Sequence, residues 1–298
     1  MNEESPPVDP ALERALKRRP AGWVPPGPAP HGALGRPELS PTAEEDLSFL
    51  TGDFRIFQRR RGHRWSLDDF TTALFAIRAA RSAGSPARYA DLGCGIGSVL
   101  MMVAWAFPET RAVGIEAQEL SVGLARRSLA YNGIDDRVRI VNGDLRDAPR
   151  SLAEPAFDGG FDLVTGTPPY IALGHGLVSE KEQRGPCCFE TRGGIEEYCL
   201  AAAQILRPGG IFTVCAGALP EQVDRGEQAI DAAGLSLIER VDVVPRTGKA
   251  VLFRVFVTKR GAVSEPPIRS ELVVRDAALA ITDQMRAARD ELGLPPLP

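Results

Sequence analysis

From Ala87 onward the chain alternates short runs of β-branched and aromatic residues with longer stretches whose apolar positions recur at helical spacing. Arg88–Asp91, Ala112–Glu116, Val138–Val141, Phe161–Thr165 and Ile211–Cys215 are predicted strands, and Val99–Ala106, Leu120–Tyr131, Ile195–Leu206 and Glu221–Ala233 predicted helices. Strands that alternate with helices imply a parallel sheet covered on both faces. The series ends differently. Leu235–Val244 and Ala250–Thr258 are β-rich runs joined only by Pro245-Arg-Thr-Gly-Lys249, too short for a crossover helix, so they are expected to pair antiparallel.

The flanks lack this pattern. Ten of the 25 prolines fall within the first 41 residues, and such a segment buries too little to offset the entropy of ordering it. Residues 1–40 are therefore expected to be a flexible tail, with a short helix at Ala11–Arg19. Residues 41–86 form a lead-in segment, where Ser40 or Thr42 is expected to cap a short helix ending near Gly52. Residues 87–260 make the α/β domain, and residues 261–298 a tail with a helix around Asp276–Leu292.

With 44% apolar and 25% charged residues in 298, a sizeable core is available. The net charge of -4 gives no overall pull toward nucleic acid, so any such role must rest on a local basic surface. Five cysteines form no C-x-x-C pair and three histidines lie far apart, so neither a metal site nor a disulfide framework is expected. No apolar run approaches the roughly 18 residues of a membrane span, and the first residues lack a signal-peptide pattern. A cytoplasmic protein is expected.

Candidate chemistry begins at Asp91-Leu-Gly-Cys-Gly-Ile-Gly97, between a strand and a helix. Glycines there let the backbone turn tightly and approach a ligand at the carboxyl ends of the strands. A nicotinamide fingerprint needs a glycine three positions after Gly95, where Ser98 stands, and a phosphate-binding Gly-Lys-Ser/Thr is absent. The segment resembles the first motif of class I S-adenosylmethionine-dependent methyltransferases. That resemblance covers about Ala87 to Thr258 and implies a doubly wound, Rossmann-like seven-stranded sheet with a terminal antiparallel pair. It implies S-adenosyl-L-methionine as cofactor, held by Asp91, Gly93, Cys94, Gly95 and Gly97, with Glu116 on the ribose hydroxyls and Asp144 and Leu145 at the adenine. Leu206-Arg-Pro-Gly-Gly210 resembles the family's turn before the fifth strand.

Just beyond the fourth strand stands Thr167-Pro-Pro-Tyr170, which resembles the Asn/Asp-Pro-Pro-Tyr/Phe motif of methyltransferases acting on planar amino groups. In a planar amine the nitrogen lone pair is delocalised. Acceptors on its N–H bonds help free that pair for attack on a methyl group. Pro168 and Pro169 stiffen the loop, and Tyr170 can stack on a flipped base. At position 167 the family's carboxamide or carboxylate is replaced by a hydroxyl, which is shorter and also carries a donor proton.

Upstream, the stretch from Phe54 to Ala76 resembles the segment before the cofactor loop in bacterial tRNA adenine-N6 methyltransferases, loosely through Ser66, Asp68 and Leu74. Arg55, Arg59, Arg60, Arg61 and Arg64, interleaved with Phe54, Phe57 and Trp65, suit a phosphate backbone with stacked bases. Lys249, in the terminal hairpin, is a further candidate contact. The loop Ala172–Gly193 is long enough to be a lid, with Glu190 and Arg192 as candidate substrate contacts and Cys187-Cys188 as bystander thiols. The leading expectation is methylation of an adenine amino group in tRNA or other RNA. A protein glutamine methyltransferase, a small-molecule methyltransferase and a catalytically silent binding protein of the same fold stay open.

Overall fold

A computed structural model of the protein describes residues 19–169, 193–219 and 222–297. Its centre is a mostly parallel sheet. The elements that form it, in chain order, are β3 (Arg88–Leu92), α2 (Ser98–Ala106), β4 (Arg111–Glu116), α3 (Glu119–Asn132), β5 (Val138–Asn142), the short α4 (Ala148–Ser151), β6 (Phe161–Gly166), α5 (Ile195–Ile205), β7 (Leu206–Gly217), α6 (Arg225–Ala232), β8 (Leu235–Val244) and β9 (Phe253–Arg260). They are preceded by the hairpin β1 (Glu45–Phe49) and β2 (Arg55–Arg59) and by α1 (Leu67–Ala83), and followed by β10 (Ile268–Val273) and α7 (Asp283–Glu291).

The order across the sheet is β10-β8-β9-β7-β6-β3-β4-β5. Strand β9 runs antiparallel to both β7 and β8, as the short connection requires. The expected seven strands are eight. Residues 268–273 lie parallel to β8, with Leu272 opposite Val243 and buried. Alternation along each strand divides the interior into two cores. Tyr89, Leu163, Ile211 and Val255 face α1, α2 and α3, while Ala90, Leu92, Val164, Phe212 and Phe256 face α5 and α6. Leu206-Arg-Pro-Gly-Gly210 belongs to β7 itself, where the register against β6 shifts between Phe161 and Leu163.

Outside the sheet the structure corrects the expectations. The helix expected before Gly52 is strand β1, in register with β2 through Leu47 and Phe57. The amide of Thr42 donates to Glu45 Oε2 at 3.0 Å, and Glu45 N–H to Thr42 C=O at 3.1 Å. The Thr-x-x-Glu spacing thus closes a turn instead of capping a helix. Residues 20–40, expected as part of a free tail, lie against the domain: Leu39 is buried, Gly32 N–H donates to Tyr131 C=O, and Arg127 donates to the carbonyls of Glu38 and Ser40. The expected helix at Ala11–Arg19 falls outside the described residues except for Arg19. Near the C-terminus α7 starts later than expected, capped by the Thr282 hydroxyl, which accepts from Met285 N–H. The chain then returns to Thr51 and Gly52, which donate to the carbonyls of Leu292 and Gly293. Among the described residues no helix is long and apolar enough to cross a membrane.

Candidate active site

The strand order reverses between β3 and β6. Ligands of doubly wound sheets bind at such a point, outside the carboxyl ends of the strands. Here that crevice lies between the glycine loop after β3 and Thr167-Pro-Pro after β6; Leu92 and Gly166 are register partners at the two strand ends.

Asp91 is the last charged residue before the loop and is 2% exposed. Its Oδ1 accepts from the Thr165 hydroxyl at 2.7 Å, and that hydroxyl in turn accepts from the Tyr89 phenol at 2.6 Å. Asp91 Oδ2 is buried with no hydrogen bond of ordinary geometry. Burial pushes the carboxyl up to about 7, against the Thr165 hydroxyl and the Leu100 amide, which favour its charged form. Such a group gains from a cation or donor brought by a ligand.

Gly95 has φ +54, and a Cβ built there meets nothing within 4 Å, so the space beside it is open. Its amide donates to Glu116 Oε2 at 2.9 Å, while the amide of Gln118 donates to Oε1 at 2.6 Å. The Glu116 carboxylate is thereby fixed at the end of β4, and each oxygen keeps acceptor capacity suited to a vicinal diol. Gly97, with φ +85, opens α2. The Cys94 side chain is buried beside Gly114, and burial raises its thiol well above the usual range.

Asp144 follows β5. It accepts from the amide of Arg146 at 2.9 Å and ion-pairs with that guanidinium, while Leu145 is buried. An adenine amino group would meet a carboxylate already engaged. Pro168 is buried, and Thr167 and Pro169 are half-buried. Pro168 and Pro169 line a small cavity with Ile195, Ala216, Gly217, Gln222 and Arg225. Tyr170, Cys187, Cys188, Glu190 and Arg192 lie outside the described residues.

The arginine-rich segment divides. Phe54 and Phe57 are fully buried and cannot stack on a base. Arg55 is buried too, over the Phe49 ring and paired with Asp53. Gln58 is buried, accepting from the Trp65 amide. Arg60, Arg61 and Arg64 are exposed, Arg59 pairs with Glu44 and Arg64 with Asp46, and Trp65 is partly buried against the core. The turn carrying them leads straight into α1, whose Asp69 accepts from Ser66 N–H at 2.8 Å and from Ser98 Oγ at 2.9 Å. Ser98 begins α2, so this basic turn stands at the same edge of the sheet as the glycine loop. Lys249 is exposed in the turn after β8, whose carboxyl end points to that edge as well.

Three contributors were not singled out from the sequence. Asp69 was detectable, because Ser66-x-x-Asp69 has capping-box spacing. Thr165 and Tyr198 carry no local signal. Among the described residues no group of three or more His, Cys, Asp or Glu is placed to hold a metal.

Comparison with known proteins agrees with this geometry. Residues 90–171 match the model of a methyltransferase domain family. The chain is 32% identical over 129 residues to a tRNA1(Val) (adenine(37)-N6)-methyltransferase of Porphyromonas gingivalis, covering 43% of this chain and 49% of that protein. It is also 32% identical over 140 residues to a release factor glutamine methyltransferase of Chlorobaculum tepidum, covering 44% and 45%. The chain thus spans about half the length of these relatives. In fold it resembles the crystal structure of a predicted O-methyltransferase from Agrobacterium tumefaciens, with a TM-score of 0.58 and 21% identity over 76% of this chain and 98% of that one. The architecture is a Rossmann-like, doubly wound α/β fold shared with that structure.

Proposed function

We propose that this protein is an S-adenosylmethionine-dependent methyltransferase acting on a planar amino nitrogen, with the N6 amine of adenine in tRNA as the favoured acceptor. The observation that carries the cofactor reading is the crevice itself: an open-sided Gly95 between a buried, under-bonded Asp91 and an anchored Glu116. Asp91 suits the amino end of the ligand, Glu116 the ribose diol, and the loop amides the carboxylate. Bound there, S-adenosylmethionine supplies an electrophilic methyl group.

The residues of this chain do the rest. The Thr167 hydroxyl and a carbonyl of the Pro168 region accept from the two N–H bonds of the acceptor amine and hold its lone pair toward the methyl group. So held, the amine nitrogen would be positioned to take the methyl group that the cofactor supplies, and its displaced proton would leave to solvent. Tyr170, following the prolines, is the stacking partner for a flipped base. Arg59, Arg60, Arg61 and Arg64, beside Trp65, and Lys249 in the later turn supply the backbone contacts; a basic turn beside the donor loop is what favours RNA.

A protein glutamine side chain is the second reading. The pairing of Arg59 with Glu44 and of Arg64 with Asp46 favours it, because it lowers the charge offered to a phosphate backbone. Nucleoside mass spectrometry of RNA from cells with and without the protein separates the two. Loss of N6-methyladenosine from tRNA supports the RNA reading, whereas an unchanged nucleoside profile with an undermethylated glutamine in a release factor supports the other.

A further inference from the structure

One side chain lies between the glycine loop and the Thr167-Pro-Pro turn. Tyr198 projects from the start of α5 and is 6% exposed. A Cβ built on Gly93 would lie 2.1 Å from its hydroxyl oxygen, and a Cβ built on Gly166 would lie 2.5 Å from its Cδ1 and 3.1 Å from its Cε1. Gly93 follows Leu92, the register partner of Gly166, and Gly166 immediately precedes Thr167. A single ring therefore lies across the ends of β3 and β6, touching the donor side through its hydroxyl and the acceptor side through its edge.

The two glycines differ in kind. Gly93 has φ +59, so an L side chain is strained there whatever its neighbours. Gly166 has no positive φ, and its next neighbour, the Leu92 carbonyl oxygen at 3.6 Å, is an ordinary contact. Glycine at 166 is required by the Tyr198 ring. A close-packed interior cannot absorb a methyl group at that distance unless the ring moves, and the ring backs directly onto the glycine loop. Displacement at the acceptor strand is thus handed to the donor loop.

We infer that Tyr198 is a positioning residue, the spacer that sets the separation between the glycine loop and the strand end bearing Thr167. This rests on the reading of the crevice as an S-adenosylmethionine site. The Gly166 contact is made by ring carbons, and the nearest atom on the Gly93 side is the hydroxyl oxygen, so ring and hydroxyl together set the spacing.

Calorimetric titration with S-adenosylmethionine, alongside thermal melting, tests this on the full chain. Gly166→Ala is expected to weaken binding on the order of tenfold, the scale set by a sub-ångström misfit at a preorganised site, while the chain still melts cooperatively. In a Tyr198→Ala background, adding Gly166→Ala should cost nothing further, because the atoms it struck are gone. Equal costs of Gly166→Ala in both backgrounds, or parental affinity in Gly166→Ala alone, would overturn the spacer. Gly166→Ala adds one methyl group and decides the matter by itself if Tyr198→Ala does not fold. A parent chain that fails to bind S-adenosylmethionine while melting cooperatively instead overturns the cofactor reading, and the spacer with it.

Discussion

Asp69 Oδ1 accepts a hydrogen bond from Ser98 Oγ at 2.9 Å, joining the first turn of α1 to the first turn of the helix that follows the glycine loop. The joint is buried. Burial pushes the Asp69 carboxyl up to about 8, and the nearby charges of Asp68 and Asp91 add to the rise, against hydrogen bonds from Ser66 and Ser98. A carboxyl raised above its ordinary value of 3.8 holds its proton more tightly folded than unfolded. Stability is therefore greatest at the acid side and falls as pH rises from about 4 through about 8, by at most roughly 1.4 kcal/mol per pH unit for one group. Asp69→Asn keeps an acceptor for Ser98 and removes the titration. Melting temperatures between pH 6 and 8 should fall less steeply in the variant, and an unchanged slope would mean that Asp69 is ionised throughout.

Asp91 gives a pH dependence of the opposite sign in binding. Its value of about 7 leaves it partly neutral near neutrality, whereas a cationic ligand prefers the carboxylate. Affinity for S-adenosylmethionine should rise from pH 6 to 8, with proton release on binding at the lower end. Asp91→Asn should weaken binding at pH 8 and flatten the profile. Calorimetry in two buffers of different ionisation enthalpy reads both; a pH-independent parent affinity would remove Asp91 from the ligand's reach.

Gly95→Val should abolish S-adenosylmethionine binding. The substitution places a branched side chain at φ +54 and fills the side of the loop that is open. The same calorimetric titration decides, and residual affinity within about tenfold of the parent, a loss of no more than roughly 1.4 kcal/mol, would place the ligand elsewhere.

For the acceptor, replacing Arg59, Arg60 and Arg61 with Ala should weaken tRNA binding and flatten its salt dependence by roughly 0.7 to 0.9 per lost phosphate contact. Filter binding across a salt series measures it. A parent whose affinity ignores salt would favour a protein or small-molecule acceptor.

Thr167 discriminates among acceptors. With an aromatic or amide amine, Thr167→Asn should preserve or raise single-turnover methyl transfer, and Thr167→Val should lower it by about 10²–10³, the cost of losing one positioned hydrogen-bond partner at a reacting centre. With a hydroxyl or ring-nitrogen acceptor, Asn should lower the rate. Parental activity in the Val variant would leave Thr167 as scaffold.

The strand and helix alternation from Arg88 to Arg260 and the glycine loop were legible because they are local. A buried strand must be apolar, a helix must repeat its apolar face, and a tight βα turn needs glycine at positions such as Gly95. Distant partners decided what could not be read. Phe54, Phe57 and Arg55 look like a nucleic-acid face in one dimension, yet the pairing of β2 with β1 and its packing on α3 bury all three. Residues 42–52 carry a helix-start signal, but their hydrogen bonds are better used in a hairpin, and residues 268–273 become a strand only because β8 presents an open edge. Tyr198 lies 31 residues beyond Thr167, in no pattern at all; its place between Gly93 and Gly166 exists only once β3, β6 and α5 have been packed together, since contact across a sheet end is a property of three segments and of none of them alone.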